Sequence, residues 1–138
     1  MTISHRLLST AMLVASTTLA MAEGDVQNGE KLYRNCKACH EVRIGTERLV
    51  RGGSAGPNLY GVIGRPAAGL EKYKYSPGLI EAREAGLVWT PQNFADFVAN
   101  PNVFLEEATG LDIRSKMPYA LAEGGIDIAA YLTSLSGN

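Results

Sequence analysis

Residues 36–40 read Cys-Lys-Ala-Cys-His, and this CxxCH motif constrains the fold more than any other stretch of the chain. Two cysteines three positions apart, with a histidine directly after them, have the spacing that attaches c-type haem to a protein. Each thiol forms a thioether with one haem vinyl group, and the histidine then lies beneath the ring, where its imidazole binds the iron. The motif predicts one covalent haem attached through Cys36 and Cys39, with His40 as the proximal iron ligand.

Three other interpretations of the motif compete with haem attachment. A zinc site needs four ligands, and three nearly contiguous residues cannot close a tetrahedron by themselves. A thioredoxin-like redox motif lies beside a βαβ pattern, which is not visible in this sequence. A structural disulfide across four residues leaves His40 without a role.

The beginning of the chain has the composition of a secretory signal peptide. A short basic stretch ending at Arg6 precedes an apolar run over residues 7–19, and residues 20–22 read Ala-Met-Ala, a small-x-small cleavage pattern. We expect residues 1–22 to be cleaved, the protein to be exported to the periplasm, and residues 23–138 to form one domain. An uncleaved anchor is the alternative, but the apolar run is short and rich in hydroxyl groups for a membrane span.

The expected mature chain is small and close to neutral. It carries 12 Lys and Arg against 14 Asp and Glu, a net charge of −2, which argues against nucleic acid as a partner. No further apolar run reaches the length of a membrane span, so we expect a soluble protein without stable membrane insertion. With both cysteines bound to haem, no disulfide remains, and the haem must supply much of the hydrophobic core.

The second iron ligand is predicted by elimination, because few residues of the expected mature chain can bind haem iron. Removal of the signal peptide leaves one histidine, His40, and one methionine, Met117. Met117 lies in a polar and basic stretch, residues 114–119, which is a poor setting for the alternative role of filling a gap in the core. Lys116 binds iron only after losing its proton. We therefore predict His40 and Met117 as the axial ligands of the haem iron.

Helices joined by long, glycine-rich loops account for the remaining sequence and predict an all-α fold. Residues 41–68 are rich in glycine and are expected to form a loop. Gly29 on the first helix is expected to let another backbone approach closely. The first helix starts at Asp25 and should present one face made of Val26, Gly29, Tyr33 and Cys36. Three further helices are expected between Ser76-Pro77 and Gly86, between Thr90-Pro91 and Asn100-Pro101, and from about Gly125 to Leu135.

Several motifs in the same order resemble those of class I cytochromes c, closest to the bacterial c2-type carriers and to mitochondrial cytochrome c. The resemblance covers nearly all of residues 24–136. Besides CxxCH, it rests on Gly24-Asp25-Val26, Gly56-Pro57-Asn58-Leu59-Tyr60-Gly61-Val62-Ile63-Gly64-Arg65, Tyr73-x-Tyr75-Ser76, Val88-Trp89, Asn100-Pro101, Ser115-Lys116-Met117 and Ala130-Tyr131-Leu132. It implies a small single-domain fold of helices and long loops around one haem c.

The resemblance also implies roles for single residues. Pro57 would offer its carbonyl to the free ring nitrogen of His40, a contact that fixes the orientation and basicity of the imidazole. Leu59 would pack on the haem ring, and Gly29 and Tyr131 would mark the crossing of the first and last helices. Three further side chains would reach the haem propionates: Arg65, Tyr75 and Trp89.

Two stretches depart from the family pattern. Phe97 stands where the family usually has a tyrosine whose hydroxyl lies near the methionine sulfur, which leaves the redox potential open. Residues 102–114 are longer than the mitochondrial loop and carry acidic side chains where a lysine-rich surface is usual: Glu106, Glu107 and Asp112. The surface that faces redox partners is therefore left open as well.

A haem with two protein ligands has no open position for substrate or oxygen, so the expected function is electron transfer and not catalysis. The resemblance implies a monomeric carrier between a bc1-type complex and a terminal oxidase or photosynthetic reaction centre. The alternatives are a haem subunit of a periplasmic dehydrogenase or sulfur-oxidising complex, and a haem sensor or peroxidase. Basic residues expected near the haem edge would steer docking: Lys37, Arg43, Arg51, Arg114 and Lys116.

Overall fold

The computed structural model describes residues 23–137, so the signal peptide expected over residues 1–22 lies outside the described residues. Five helices are present there: α1 (Val26–Tyr33), α2 (Pro77–Glu84), α3 (Pro91–Ala99), α4 (Pro101–Thr109) and α5 (Gly125–Ser136). Two short antiparallel strands, β1 (Val42–Ile44) and β2 (Glu47–Val50), form a hairpin between α1 and α2. Within residues 23–137, no helix combines the length and the apolar character needed to cross a membrane.

The first and last helices cross at a point where only glycine fits. A Cβ atom on Gly29 would lie 1.9 Å from the carbonyl oxygen of Asp127, so the two backbones are in direct contact, as predicted. Next to the crossing, the rings of Tyr33 and Tyr131 pack with their centroids 5.6 Å apart. The carboxylate of Asp127 also accepts a hydrogen bond of 2.8 Å from the backbone nitrogen of Asp25, the residue that caps α1. The crossing therefore joins the two ends of the described chain.

The predicted face of α1 is correct except at one residue. Gly29 and Tyr33 are buried and Cys36 is half-buried, but Val26 is 42% exposed. Val26 occupies the first helical position, at the edge of the face that α5 covers.

The hairpin was not expected, because residues 41–68 were predicted to be loop throughout. Its register is irregular between Val42 and Arg43, and Val42 is its one buried side chain. The alternation in Val42-Arg43-Ile44 covers three residues, which is too short to indicate a strand. Gly45 has a φ of +57° in the turn, a conformation that glycine adopts without strain. Two strands of this length are marginal by themselves, so contacts with the rest of the chain must hold them.

Helix α3 begins and ends where the sequence predicts, but α4 was missed. Thr90 and Asn93 form a capping box at the start of α3. Asn100 ends α3 and at the same time caps α4, because its side chain accepts a hydrogen bond from the backbone nitrogen of Val103. Gly110 ends α4 in a left-handed conformation. The stretch predicted as a long loop, residues 102–114, is therefore helical as far as Thr109.

An aromatic cluster fills the space between α3, α4 and Trp89, which lies two residues before α3. Trp89 packs against Phe97 at 5.2 Å between centroids and stacks on Phe104 at 5.9 Å. Phe97 and Phe104 meet edge to face at 5.7 Å. The cluster thus fixes α4 against α3 and gives Phe97 an apolar environment.

Candidate haem site

A tight turn after α1 brings the two cysteines within one turn of each other. The carbonyl of Cys36 accepts hydrogen bonds from the backbone nitrogens of Cys39 (3.1 Å) and His40 (2.9 Å), which winds the segment into one turn. Both thiols are free and half-buried. Burial, and to a lesser extent Cys39, raises the pKa of the Cys36 thiol to about 11. A redox-active CxxC pair has the opposite property, a lowered thiol pKa, so the segment does not have the character of a thioredoxin-like site.

The imidazole of His40 is held by one hydrogen bond through its Nδ1 atom. The Nδ1 atom lies 2.8 Å from the carbonyl oxygen of Pro57, an acceptor, so Nδ1 carries the proton. Burial lowers the pKa of His40 below its ordinary value, although the hydrogen bond to Pro57 acts in the opposite direction. The ring is therefore neutral at pH 7, with the lone pair of Nε2 left for a metal.

A glycine-rich loop packs directly against the attachment segment. A Cβ atom on Gly56 would lie 2.3 Å from Cε1 of the His40 ring, and one on Gly52 would lie 1.9 Å from the His40 carbonyl oxygen. The backbone nitrogen of Gly56 donates to the carbonyl of Cys39 at 2.7 Å. Side chains at these glycines would displace His40, so the loop is a cradle that only glycine can form.

Arg65 is a half-buried cation that bonds to neutral groups. Its guanidinium donates to the carbonyls of Tyr60 (3.1 Å) and Asn58 (3.0 Å). Burial lowers the pKa of Arg65, and the nearby Tyr75 opposes this change. No acidic side chain of residues 23–137 forms an ion pair with it. A buried positive charge in this state suits an anionic group such as a haem propionate.

Ser76 is a further candidate for the site, which the sequence prediction did not include. It was assigned only as a helix cap, yet its side chain makes no capping hydrogen bond. Ser76 is 2% exposed, and its hydroxyl is buried without a hydrogen-bond partner in the described structure. It follows Tyr75 directly, next to the residues assigned to the propionates. A serine before proline at a helix start is so common as a cap that the sequence alone gives no separate signal.

The other residues predicted for the haem site are all buried or half-buried: Leu59, Tyr75, Trp89 and Met117. Leu59 and Trp89 are buried, at 8% and 7% exposure, and Tyr75 is half-buried with its ring 4.8 Å from that of Tyr73. Met117 is half-buried and packs against the core. Its loop reaches Tyr75, because the Lys116 amine lies 3.4 Å from the Tyr75 carbonyl oxygen.

Helix α4 positions the methionine loop. The Asn102 side chain accepts a hydrogen bond of 2.9 Å from the backbone nitrogen of Ser115, and the Ser115 hydroxyl accepts one of 3.0 Å from that of Met117. Because Asn102 belongs to the first turn of α4, the unexpected helix sets the place of this loop.

Together, these groups fit one haem. Two free thiols are one turn apart, a neutral imidazole has one nitrogen engaged, and an unpaired cation and an orphaned hydroxyl are available for propionates. The half-buried thioether of Met117 is a soft sulfur donor of a kind that suits haem iron.

The chain is similar to several bacterial cytochromes over most of its length. It is 47% identical over 133 residues to cytochrome c-551 of Roseobacter denitrificans, covering 93% of this chain and 95% of that protein. It is 41% identical over 132 residues to cytochrome c2 of Rhodobacter capsulatus, covering 91% of this chain and 95% of that protein. The solved structure of cytochrome c2 from Paracoccus denitrificans matches with a TM-score of 0.79 at 35% identity, covering 83% of this chain and 98% of that one. No family model matches the chain.

Proposed function

The chain belongs to the class I cytochromes c, and from this premise we propose that it carries single electrons in the periplasm through a haem ligated by His40 and Met117. The predicted family, the predicted fold class and the predicted cofactor are confirmed: the protein carries one covalently bound haem c. It is an electron-transfer protein and not an enzyme. When bound, the haem iron supplies a one-electron ferrous–ferric couple.

The observation that carries the proposed ligation is the hydrogen bond between His40 Nδ1 and Pro57. It fixes the tautomer and the ring orientation, and it leaves Nε2 as the ligand atom. Attachment of the haem through Cys36 and Cys39 is supported by their position within one turn, immediately before His40. Leu59 and Trp89 are proposed to line the haem pocket.

Met117 is proposed as the second axial ligand. It is half-buried at the edge of the core, and its loop is held by Asn102 from one side and lies against Tyr75 on the other. Thioether ligation raises the potential of a haem, and the apolar surroundings of Phe97 act in the same direction by disfavouring the charge of the ferric form. Arg65, Tyr75 and Trp89, together with the newly found Ser76, are proposed to receive the propionates.

Redox complexes are the proposed partners: a bc1-type complex as donor, and a terminal oxidase or a photosynthetic reaction centre as acceptor. Four of the five basic residues expected around the haem edge are exposed: Lys37, Arg51, Arg114 and Lys116. The fifth, Arg43, is paired with Glu41 and has part of its charge neutralised. The docking surface is therefore proposed to centre on the exposed four.

Cleavage after residue 22 is proposed as the step that yields the mature domain, residues 23–138. Loss of the first 22 residues would remove every histidine and methionine except His40 and Met117. Export therefore fits the ligand set, because the alternative ligands leave with the signal peptide.

Mass spectrometry and carbon monoxide binding test the proposal together. The periplasmic protein is expected to begin at residue 23, to carry one haem mass, and to keep its colour in the polypeptide after acid–acetone extraction. The reduced holoprotein is expected not to bind carbon monoxide at neutral pH. Haem that extracts into the solvent would contradict attachment through Cys36 and Cys39. Carbon monoxide binding would indicate a sensor or peroxidase, and purification only as part of a larger complex would indicate a dedicated subunit.

A further inference from the structure

The carbonyl that bonds to His40 lies in a segment held by the side chain of the next residue. Pro57 has no N–H of its own and lies outside the strands, so its carbonyl is positioned by the residues on either side of it. The amide group of Asn58 makes three hydrogen bonds to backbone. Its oxygen accepts from the nitrogens of Arg43 (2.9 Å) and Tyr60 (3.1 Å), and its nitrogen donates to the carbonyl of Arg43 (2.7 Å).

These bonds attach the Pro57 segment to the edge of strand β1. The N–H and C=O of Arg43 both pair with one amide group, as they would with a neighbouring strand. The strand register is irregular at this same point, between Val42 and Arg43. Asn58 thus takes the place of a third strand at an irregular edge.

An ion-pair cluster stabilises the hairpin at this edge of β1. Arg43 and Arg48 are opposite each other in the hairpin, where two like charges would repel. The Glu41 carboxylate bridges them, with its oxygens 2.9 Å from Arg43 Nε and 3.3 Å from Arg48 Nε. Only 13% of the Glu41 side chain is exposed, so solvent screens the cluster less than it would an open surface pair.

Three further contacts fix the same segment, but none of them replaces the amide. The nitrogen of Gly56, directly before Pro57, donates to the Cys39 carbonyl at 2.7 Å and so ties the loop to the attachment segment, not to the hairpin. Arg65 donates to the Asn58 carbonyl at 3.0 Å, and the nitrogen of Leu59 donates to the Glu41 carbonyl at 3.1 Å. Both contacts lie further along the chain than the Pro57 carbonyl. The Asn58 amide is the side chain directly after that carbonyl and the one that ties it to the hairpin.

We propose that Asn58 is a positioning residue that holds the Pro57 carbonyl on His40 and thereby tunes the reduction potential of the haem. This inference rests on the proposed ligation by His40. A hydrogen bond from Nδ1 makes the imidazole a stronger electron donor, which favours ferric iron. Loss of the Asn58 bonds lets the carbonyl move away, weakens that donation and makes the reduction potential more positive.

The test compares the holoproteins of Asn58→Ala, Asn58→Ser and Asn28→Ala with the wild type. Asn28 is a matched control, because its side chain also makes a hydrogen bond (2.7 Å, to Asp127) but at the helix crossing. The midpoint potential and the solvent exchange rate of the His40 Nδ1 proton are measured. Asn58→Ala is expected to shift the potential positively and to speed exchange by about tenfold. Asn58→Ser should give smaller shifts in the same directions, and Asn28→Ala should change neither quantity.

Potentials and exchange rates in Asn58→Ala that equal those of the wild type would overturn the inference. If Asn58→Ala yields no holoprotein, Asn58→Ser decides the matter by the same two measurements. The wild-type spectrum separates this inference from the ligation on which it rests. Without paramagnetically shifted His40 ring protons in the ferric wild type, the ligation itself is wrong. With those shifted protons present and the variants unchanged, only the role of Asn58 is wrong.

Discussion

On the proximal side, residues 33–65, backbone hydrogen bonds tie one loop to the attachment segment at successive points, whereas on the distal side, residues 101–124, side chains hold the ligand loop. The nitrogens of Gly53, Gly56 and Leu59 donate to the carbonyls of Lys37, Cys39 and Glu41. The methionine loop is instead attached to α4 through exposed contacts of Asn102 and Ser115. Both sides therefore depend on a side chain, Asn58 near the proposed histidine ligand and Asn102 near the proposed methionine ligand. The proximal side adds the three main-chain bonds, which side-chain substitutions leave in place.

The largest effect is expected from a methyl group in the proximal cradle. Gly56→Ala places a Cβ about where the His40 ring lies, so we expect little or no holoprotein, measured as haem absorbance per polypeptide. Gly45→Ala is the control, because nothing lies within 4 Å of a Cβ there and only its positive φ of +57° opposes the change. We expect the control to form holoprotein and to lose about 1–2 kcal/mol of stability. Normal haem content in Gly56→Ala would show that the His40 ring can move enough to accommodate the added methyl group.

Removal of the distal ligand is expected to leave a folded haem protein. In Met117→Ala, the potential should fall by some tenths of a volt, since axial ligands tune haem potentials over about 0.8 V. The reduced variant should bind carbon monoxide, and Met117→Leu, which keeps the volume but not the sulfur, should show the same fall. Potentiometry and difference spectra check this. A wild-type potential in both variants would mean that another group binds the iron.

The sequence predicted some features of each side and missed others: the hairpin of residues 42–50 was missed on the proximal side, and α4 was missed on the distal side. CxxCH is a covalent requirement with fixed spacing, and Gly29 is required by a close contact, so both leave clear marks in the sequence. Helix α4 was missed because Asn100-Pro101 is a stop signal for one helix and also a start signal for the next. Ser76 occupies the predicted cap position of α2, but the absence of a capping bond from its side chain leaves no mark in the sequence.

A smaller effect is expected where α4 holds the methionine loop. Asn102→Ala removes the acceptor for the Ser115 nitrogen, at an exposed position, and should cost roughly 0.5–1 kcal/mol of unfolding free energy. The midpoint potential should stay unchanged because Met117 itself is retained, but added imidazole should displace the methionine more readily. Denaturant titration and imidazole binding measure the two quantities. Imidazole affinity equal to the wild type would indicate that the loop is held elsewhere.

The smallest effect is expected at the surface, where the distal side carries charges of both signs. Second-order rates with an acidic-faced oxidase or reaction centre should fall as ionic strength rises, because exposed charges are screened over about 8–10 Å. Lys116→Glu should lower the rate by less than about tenfold at low salt, and Glu107→Lys should raise it if α4 faces the partner. Stopped-flow kinetics over a range of salt concentrations check both. Rates that are flat or that rise with salt would place the acidic residues of α4 at the docking surface.

The crossing of α1 with α5 limits how early the protein can finish folding during its synthesis. The hydrogen bond between Asp25 and Asp127 spans 102 positions of the chain, and closing a loop of that length costs about 4 kcal/mol of entropy. The first helix therefore has no partner until almost the whole polypeptide has emerged. The loop that packs on the attachment segment is complete much earlier, because its bonds join residues fewer than 20 positions apart. Docking of the last helix is thus the step that completes the fold.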